Sequence, residues 1–95
     1  MSKVVWNGQV IAESKRTKEV NGYTYFPPNS VKKEYMQKSY TKHIDGDLGT
    51  ANFYNIRVGD SINWNGAWYY PDVKNNDLNI AGFIAFSPGM EVQRR

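Results

Sequence analysis

Three Asn-Gly pairs, at residues 7–8, 21–22 and 65–66, most limit how this chain can fold. Each pair lies near short runs rich in Val, Ile, Trp, Tyr or Phe. Because both central residues of a type I′ turn need a positive φ, Asn-Gly in this context is the most specific short signal for a β-hairpin. The pairs therefore predict three hairpins in an antiparallel, mainly β domain.

The region after the second pair predicts a break in the sheet and a helix. Phe26 runs into a Pro-Pro pair, which cannot continue a ladder of hydrogen bonds. Asn29 or Ser30 can then cap a helical turn that carries Val31 on its apolar face. We therefore expect one short helix near 29–36.

The rest of the chain predicts further strands. Alternating residues predict strands over 39–45 and 50–58, and a slip in the alternation at Tyr54-Asn55 predicts a bulge. The most apolar segment, 80–86, predicts a central strand that is buried on both faces. With 95 residues the chain can build only one core, so we expect a single β domain spanning 1–95.

Composition excludes several kinds of site. The chain has no Cys, which removes disulfides, thiolate zinc sites and a thiol nucleophile. His43 is the only histidine, so a multi-histidine metal site is excluded. We therefore predict no metal site, and the sequence identifies no cofactor. There is no signal-peptide pattern and no apolar run of about 20 residues. We therefore expect a cytoplasmic protein without a membrane partner.

The net charge of +3 is unevenly spread, because bases outnumber acids between residues 15 and 42. One interpretation is a surface that meets phosphates, where nucleic-acid bases stack on exposed Tyr23, Tyr35 or Tyr40. The other is a set of solvated lysines that keep strand edges from pairing. The second is favoured, so nucleic acid is not the expected partner.

The best candidate site lies between the third Asn-Gly pair and a Pro-Asp break. Trp68 and Tyr70 share one face of a strand, and Asp72 follows the break. Aromatic walls beside a carboxylate predict a pocket for a small-molecule ligand or a partner's side chain, with Glu34 and His43 as polar rim residues. The alternative is an aromatic core in which Asp72 caps a turn.

An enzyme acting on nucleotides or other phosphorylated substrates is the alternative function. Asp45, Asp47 or Asp72 could hold a metal, with His43 as the acid or base. The Asp-Gly-Asp spacing is also typical of a plain turn, and Ile56 stands where a calcium loop needs Glu. No Gly-x-Ser-x-Gly motif supplies a nucleophile, so the catalytic residues stay unassigned and binding is favoured over catalysis.

Five segments, in order, resemble the small bacterial domain of unknown function numbered 427. They are Val5-Trp6-Asn7-Gly8-x-Val10-Ile11-Ala12-x-Ser14, Tyr25-Phe26-Pro27-Pro28-x-Ser30-Val31, Gly49-Thr50-Ala51-x-Phe53-Tyr54, Ala67-Trp68-Tyr69-Tyr70-Pro71-Asp72 and Ile80-Ala81-Gly82-Phe83-Ile84-Ala85-Phe86. The resemblance covers nearly the full length. It implies a compact antiparallel two-sheet fold of the β-tent-like (Mss4-like) kind, some members of which hold ligands in aromatic cages.

The resemblance implies no established reaction, although the family sometimes carries a nucleotidyltransferase-like label. Polymerase-like nucleotidyl transfer needs a Gly-Ser turn followed by an Asp-x-Asp pair on a strand. No such pair of aspartates follows Gly59-Asp60-Ser61 in this chain. Family members often have Cys-Pro and Lys-Gly where this chain has His43-Ile44 and Leu48-Gly49. Any chemistry that depends on those residues is expected to be lost or altered here, and a monomer and a homodimer both stay open.

Overall fold

The computed structural model describes residues 1–94, apart from the side chain of residue 76. Its strands are β1 (Ser2–Trp6), β2 (Gln9–Ser14), β3 (Lys18–Val20), β4 (Tyr23–Tyr25), β5 (Met36–Asp45), β6 (Gly49–Val58), β7 (Ser61–Tyr69), β8 (Ile84–Phe86) and β9 (Glu91–Arg94). They form antiparallel sheets with the strand orders β2-β1-β9, β3-β4 and β5-β6-β7-β8. The prediction of a mainly β, antiparallel fold is confirmed. No helix within residues 1–94 is long and apolar enough to span a membrane.

The described residues form three sheets rather than the expected two. The β3-β4 hairpin stays a separate sheet because a Pro-Pro pair prevents β4 from extending further along β8. Phe26 and Ile84 exchange two backbone hydrogen bonds of 2.8 Å, which attach the β3-β4 hairpin to β8. The next residues, Pro27 and Pro28, have no N–H to extend this ladder. The hairpin is therefore joined to the four-stranded sheet by a single bridge.

The first two Asn-Gly pairs form the predicted hairpin turns. Asn7 and Gly8 have φ angles of 50° and 80° and join β1 to β2, where Trp6 pairs with Gln9. Asn21 and Gly22 join β3 to β4 in the same way, with φ angles of 53° and 84°.

The third Asn-Gly pair does not form a hairpin, so this prediction is wrong. Residues 65–66 lie inside β7, and the β6-β7 turn is formed by Gly59 and Asp60. The pair instead accommodates the bulge predicted at Tyr54-Asn55, which a shift of register between Tyr54 and Ile56 confirms. Asn65 keeps a positive φ of 53°, as an extra residue in a bulged strand can.

The predicted helix near 29–36 is also wrong. Two three-residue 3₁₀ turns, Pro28–Ser30 and Lys33–Tyr35, stand in its place. Between them Val31 is extended and buried, where it bridges to Ala12, and the Lys32 amide donates to the Ile11 carbonyl at 2.9 Å. Pairing with β2 therefore outweighs the local helical preference.

The apolar segment 80–86 is only partly a strand. Ile84, Ala85 and Phe86 form β8, and all three are buried, as predicted. The residues before them form a turn, in which Gly82 has a φ of 80° and donates its amide to the Tyr70 carbonyl at 2.9 Å.

Two apolar clusters form the core. The first joins the β2-β1-β9 sheet to the four-stranded sheet, through fully buried residues such as Val4, Ile11, Ile56 and Ile84. Burying a side chain of this size contributes about 1.5–3 kcal/mol. The second cluster is rich in aromatic residues and lies under the candidate site, where Trp68 packs against it.

Candidate functional site

A pocket of about 270 Å³ is lined by residues from the β3-β4 hairpin and from β5, β6 and β7. Its aromatic walls are Tyr23, Tyr25, Phe53, Trp68 and Tyr70. Asn21, His43 and Asp45 add polar groups, and Leu48 and Ala51 complete the lining.

Strand alternation places the lining side chains of β5, β6 and β7 on one face of the four-stranded sheet. Successive side chains of a strand point to opposite faces, so His43 and Asp45 of β5 share a face. The register sets His43 opposite Ala51 and Phe53 opposite Trp68, so the lining continues across β6 and β7. The β4 tyrosines reach the same space because the Phe26–Ile84 bridge holds their hairpin beside β8.

Trp68 is the centre of the aromatic wall. Its ring meets Tyr23 edge to face, with centroids 4.9 Å apart at 83°, and meets Phe53 at 6.1 Å and 48°. Its indole N–H donates to the Tyr25 hydroxyl at 3.2 Å. Such ring pairs each contribute about 0.5–1.5 kcal/mol beyond burial, so these contacts help to hold the ring of Trp68 in place.

Two buried phenols lie at the inner side of the pocket. Tyr25 and Tyr70 are 2% and 5% exposed. Burial, reinforced by the neighbouring Tyr25 hydroxyl and the Asp45 carboxylate, raises the pKa of Tyr70 to about 12. Burial likewise raises the pKa of Tyr25, although its bond from Trp68 opposes the shift. Both groups are therefore neutral hydroxyls at physiological pH.

Asp45 supplies a carboxylate to the same pocket. Its Oδ1 accepts the backbone amides of Asp47 at 2.8 Å and Leu48 at 3.0 Å. These two bonds lower the pKa of the Asp45 carboxyl, and the charges of His43 and Lys74 lower it slightly further. Among the groups that the structure describes, none donates a hydrogen bond to Oδ2.

A family model described as a domain of unknown function (DUF427) matches residues 1–94 of the chain. The protein belongs to the DUF427 family. A search of curated proteins finds no match. Membership therefore agrees with the resemblance in the sequence, and it assigns no reaction to the DUF427 pocket.

The structure brings three of the five predicted site residues together in this pocket. Trp68 and Tyr70 line it from β7 and the residue that follows it, and His43 lines it from β5. Asp72 instead lines a separate cleft with Lys42 and Lys74. Glu34 is exposed in the Lys33–Tyr35 turn and does not line the pocket.

Sequence reasoning missed Tyr23, Tyr25, Phe53 and Asp45 as pocket residues. The i, i+2 spacing of Tyr23 and Tyr25 after a reliable hairpin turn is a signal that the two rings share a face. The sequence pattern suggests Asp45 only for a metal or a turn. The hydrogen bonds that Asp45 accepts from the Asp47 and Leu48 amides are those of a turn. The described residues contain no group of three His, Asp or Glu side chains that could hold a metal ion.

The bases of the interval 15–42 line more than one cleft. Lys15, Arg16 and Lys18 line one cleft, whereas Lys38 and Lys42 line another beside Tyr54 and Tyr69. These five bases are thus divided between two clefts.

Proposed function

We propose that this DUF427 domain binds a small organic molecule, or the side chain of a partner, in the pocket around Trp68. The observation that carries the proposal is the concave aromatic enclosure next to a carboxylate with a free oxygen. Small-molecule sites are typically mostly apolar clefts with a few convergent polar groups. The volume of about 270 Å³ favours a ligand or chemical group of few heavy atoms.

The polar groups favour binding over catalysis. The Tyr25 and Tyr70 hydroxyls and the Asp45 carboxylate offer fixed donors and acceptors on one side of the pocket. No hydroxyl side chain within residues 1–94 is hydrogen-bonded to the His43 imidazole, so the nucleophile and base pairing that covalent catalysis uses is not formed. We also propose a cytoplasmic location. The fold is proposed to be a variant of the β-tent-like kind, because the β3-β4 hairpin and the four-stranded sheet enclose one pocket.

The indole N–H groups provide the test, because the three tryptophans lie in different places. Trp68 is in the pocket, Trp64 is exposed, and Trp6 is in β1. In a ¹H–¹⁵N spectrum, a fragment library of amines, acids, sugars and nucleosides should contain members that shift the Trp68 indole signal. A true ligand at a hundred times its Kd should also raise stability by about 2.7 kcal/mol.

A matched pair of variants completes the experiment. Trp68→Leu should abolish binding of each hit, whereas Trp64→Leu should leave the affinity unchanged, because the Trp64 ring is 70% exposed and lies outside the pocket. Circular dichroism would confirm that both variants are folded. The proposal would be overturned if no fragment shifted the Trp68 signal, or if folded Trp68→Leu bound the hits as well as the wild type.

A further inference from the structure

We propose that the ligand of this pocket is a small organic cation, of the ammonium class with a few carbon substituents. This inference rests on the proposed function and adds the chemical class of the ligand. The cation would lie against the faces of the aromatic wall, with the Asp45 carboxylate as its counter-charge.

The distribution of charge is the first argument. The chain carries 12 Lys and Arg residues against 9 Asp and Glu, a net charge of +3. Within residues 1–94 none of the bases lines this pocket, although other clefts of the same domain are lined by two or three of them. Asp45 and His43 are the only lining residues with an ionisable group other than a phenol. Although the protein is basic, the described residues place no lysine or arginine in the lining of this pocket.

The aromatic rings are the second argument. The face of an aromatic ring carries negative electrostatic potential, and Trp attracts cations most strongly, followed by Tyr and Phe. Trp68, Tyr23 and Phe53 meet at tilted or perpendicular angles rather than in a parallel stack. Rings at such angles do not form a parallel slot for a flat ring, which favours a compact cation over a flat ligand.

The fixed carboxylate is the third argument. Two backbone amides hold Asp45 Oδ1 and leave Oδ2 without a donor in the described part of the chain. The same bonds lower the pKa of the carboxyl, so it stays ionised. The nearby Lys74 ammonium donates to the Gly46 carbonyl at 3.0 Å and is not a lining group. An anionic ligand would meet this carboxylate in a pocket that no lysine or arginine of residues 1–94 lines, so phosphates and carboxylates are disfavoured here.

The test compares two molecules of nearly the same shape and different charge. Choline and its neutral carbon isostere, 3,3-dimethylbutan-1-ol, would be titrated against the Trp68 indole signal, with inorganic phosphate as the anion. Choline should bind about tenfold or more tightly than the isostere, and phosphate should not shift the signal. A further titration with an N-acetylated trimethyllysine amide would distinguish a free cation from a modified side chain of a partner.

Asp45→Asn provides the matched variant, because the amide keeps an oxygen for the turn and removes only the charge. It should weaken choline binding about tenfold and leave the neutral isostere unchanged. Asp47→Asn is the control, since Asp47 is exposed in the same turn and does not line the pocket.

The outcomes separate the two proposals. If the isostere or other neutral fragments shift the Trp68 signal as strongly as choline does, or if Asp45→Asn binds choline normally, the cation inference is overturned and the pocket proposal stands. If no molecule shifts that signal, both are overturned.

Discussion

At the residue scale, the phenol of Tyr70 links the pocket to the stability of the protein at alkaline pH. Its pKa is raised from 10.0 to about 12 because the hydroxyl is buried. The unfolded chain therefore loses the Tyr70 proton at a lower pH than the folded chain. The stabilisation is fully present below pH 10 and is lost as the pH rises through 12.

Tyr70→Phe should therefore reduce the loss of stability between pH 9 and pH 11.5. The expected reduction is on the order of 1 kcal/mol, since one pKa unit corresponds to about 1.4 kcal/mol. Part of the loss should remain, because burial also raises the pKa of Tyr25. Urea unfolding at several pH values measures the effect, with Tyr40→Phe as the control on a fully exposed ring. Equal alkaline losses in the wild type and Tyr70→Phe would contradict the prediction.

Single residues also show how far the sequence specifies the candidate site. Trp68 and Tyr70 could be proposed from local alternation, because that pattern alone decides which side chains of one strand share a face. His43 lies on β5, so its place beside them depends on the pairing between strands. The contact partners of Trp68 could not be proposed in this way. Its bond to Tyr25 spans 43 positions of sequence, and the placement of Asp45 depends on the pairing of His43 with Ala51. Such contacts follow from the register between strands, which the local pattern does not contain.

At the element scale, β7 shows that the Asn-Gly dipeptide can occur both in a hairpin turn and inside a strand. Asn7-Gly8 closes a hairpin, whereas Asn65-Gly66 lies within a strand at a bulge. The difference comes from tertiary contacts. The Asn65 amide donates to Asn55 Oδ1 at 2.8 Å, and its side chain accepts a 2.6 Å bond from the Ser39 hydroxyl. The positive φ of Asn65 could be predicted from the sequence, but its location in a strand could not.

Gly66→Ala tests how tightly this bulge is packed. A Cβ at residue 66 would lie 3.0 Å from the Ile56 Cγ1 and from two atoms of the Asn63 side chain. Ile56 is fully buried, so it has little room to move. We expect a destabilisation of about 1–3 kcal/mol, measured by the shift of the urea midpoint.

Gly46→Ala is the matched control for Gly66→Ala. A Cβ at residue 46 would meet no atom within 4 Å, and the backbone there has no positive φ. Its substitution should change stability by less than about 0.5 kcal/mol. Similar effects of the two substitutions would mean that close packing at the bulge is not what requires glycine.

At the scale of the whole molecule, three kinds of contact join the three sheets. The first apolar cluster lies between the β2-β1-β9 sheet and the four-stranded sheet. The Phe26–Ile84 bridge attaches the β3-β4 hairpin to β8, and Phe26 also meets Phe86 edge to face at 5.7 Å. On the outside, Arg94 of β9 contacts Glu19 of β3 at 2.8 Å. The antiparallel fold class could be predicted from the sequence. These joints could not, because they link segments that are distant in sequence.

Because these joints link all three sheets, we expect the chain to unfold as a single cooperative unit. Trp6 and Trp68 report on different sheets, since Trp6 lies in β1 and Trp68 in β7. Their native indole signals should disappear with the same urea midpoint. Phe26→Leu, which replaces a fully buried ring at the joint with a smaller side chain, should lower both midpoints together by an amount equivalent to about 1–2 kcal/mol. If the Trp68 signal were lost first while the Trp6 signal persisted, the four-stranded sheet would be unfolding separately from the β2-β1-β9 sheet, and one domain would be the wrong description.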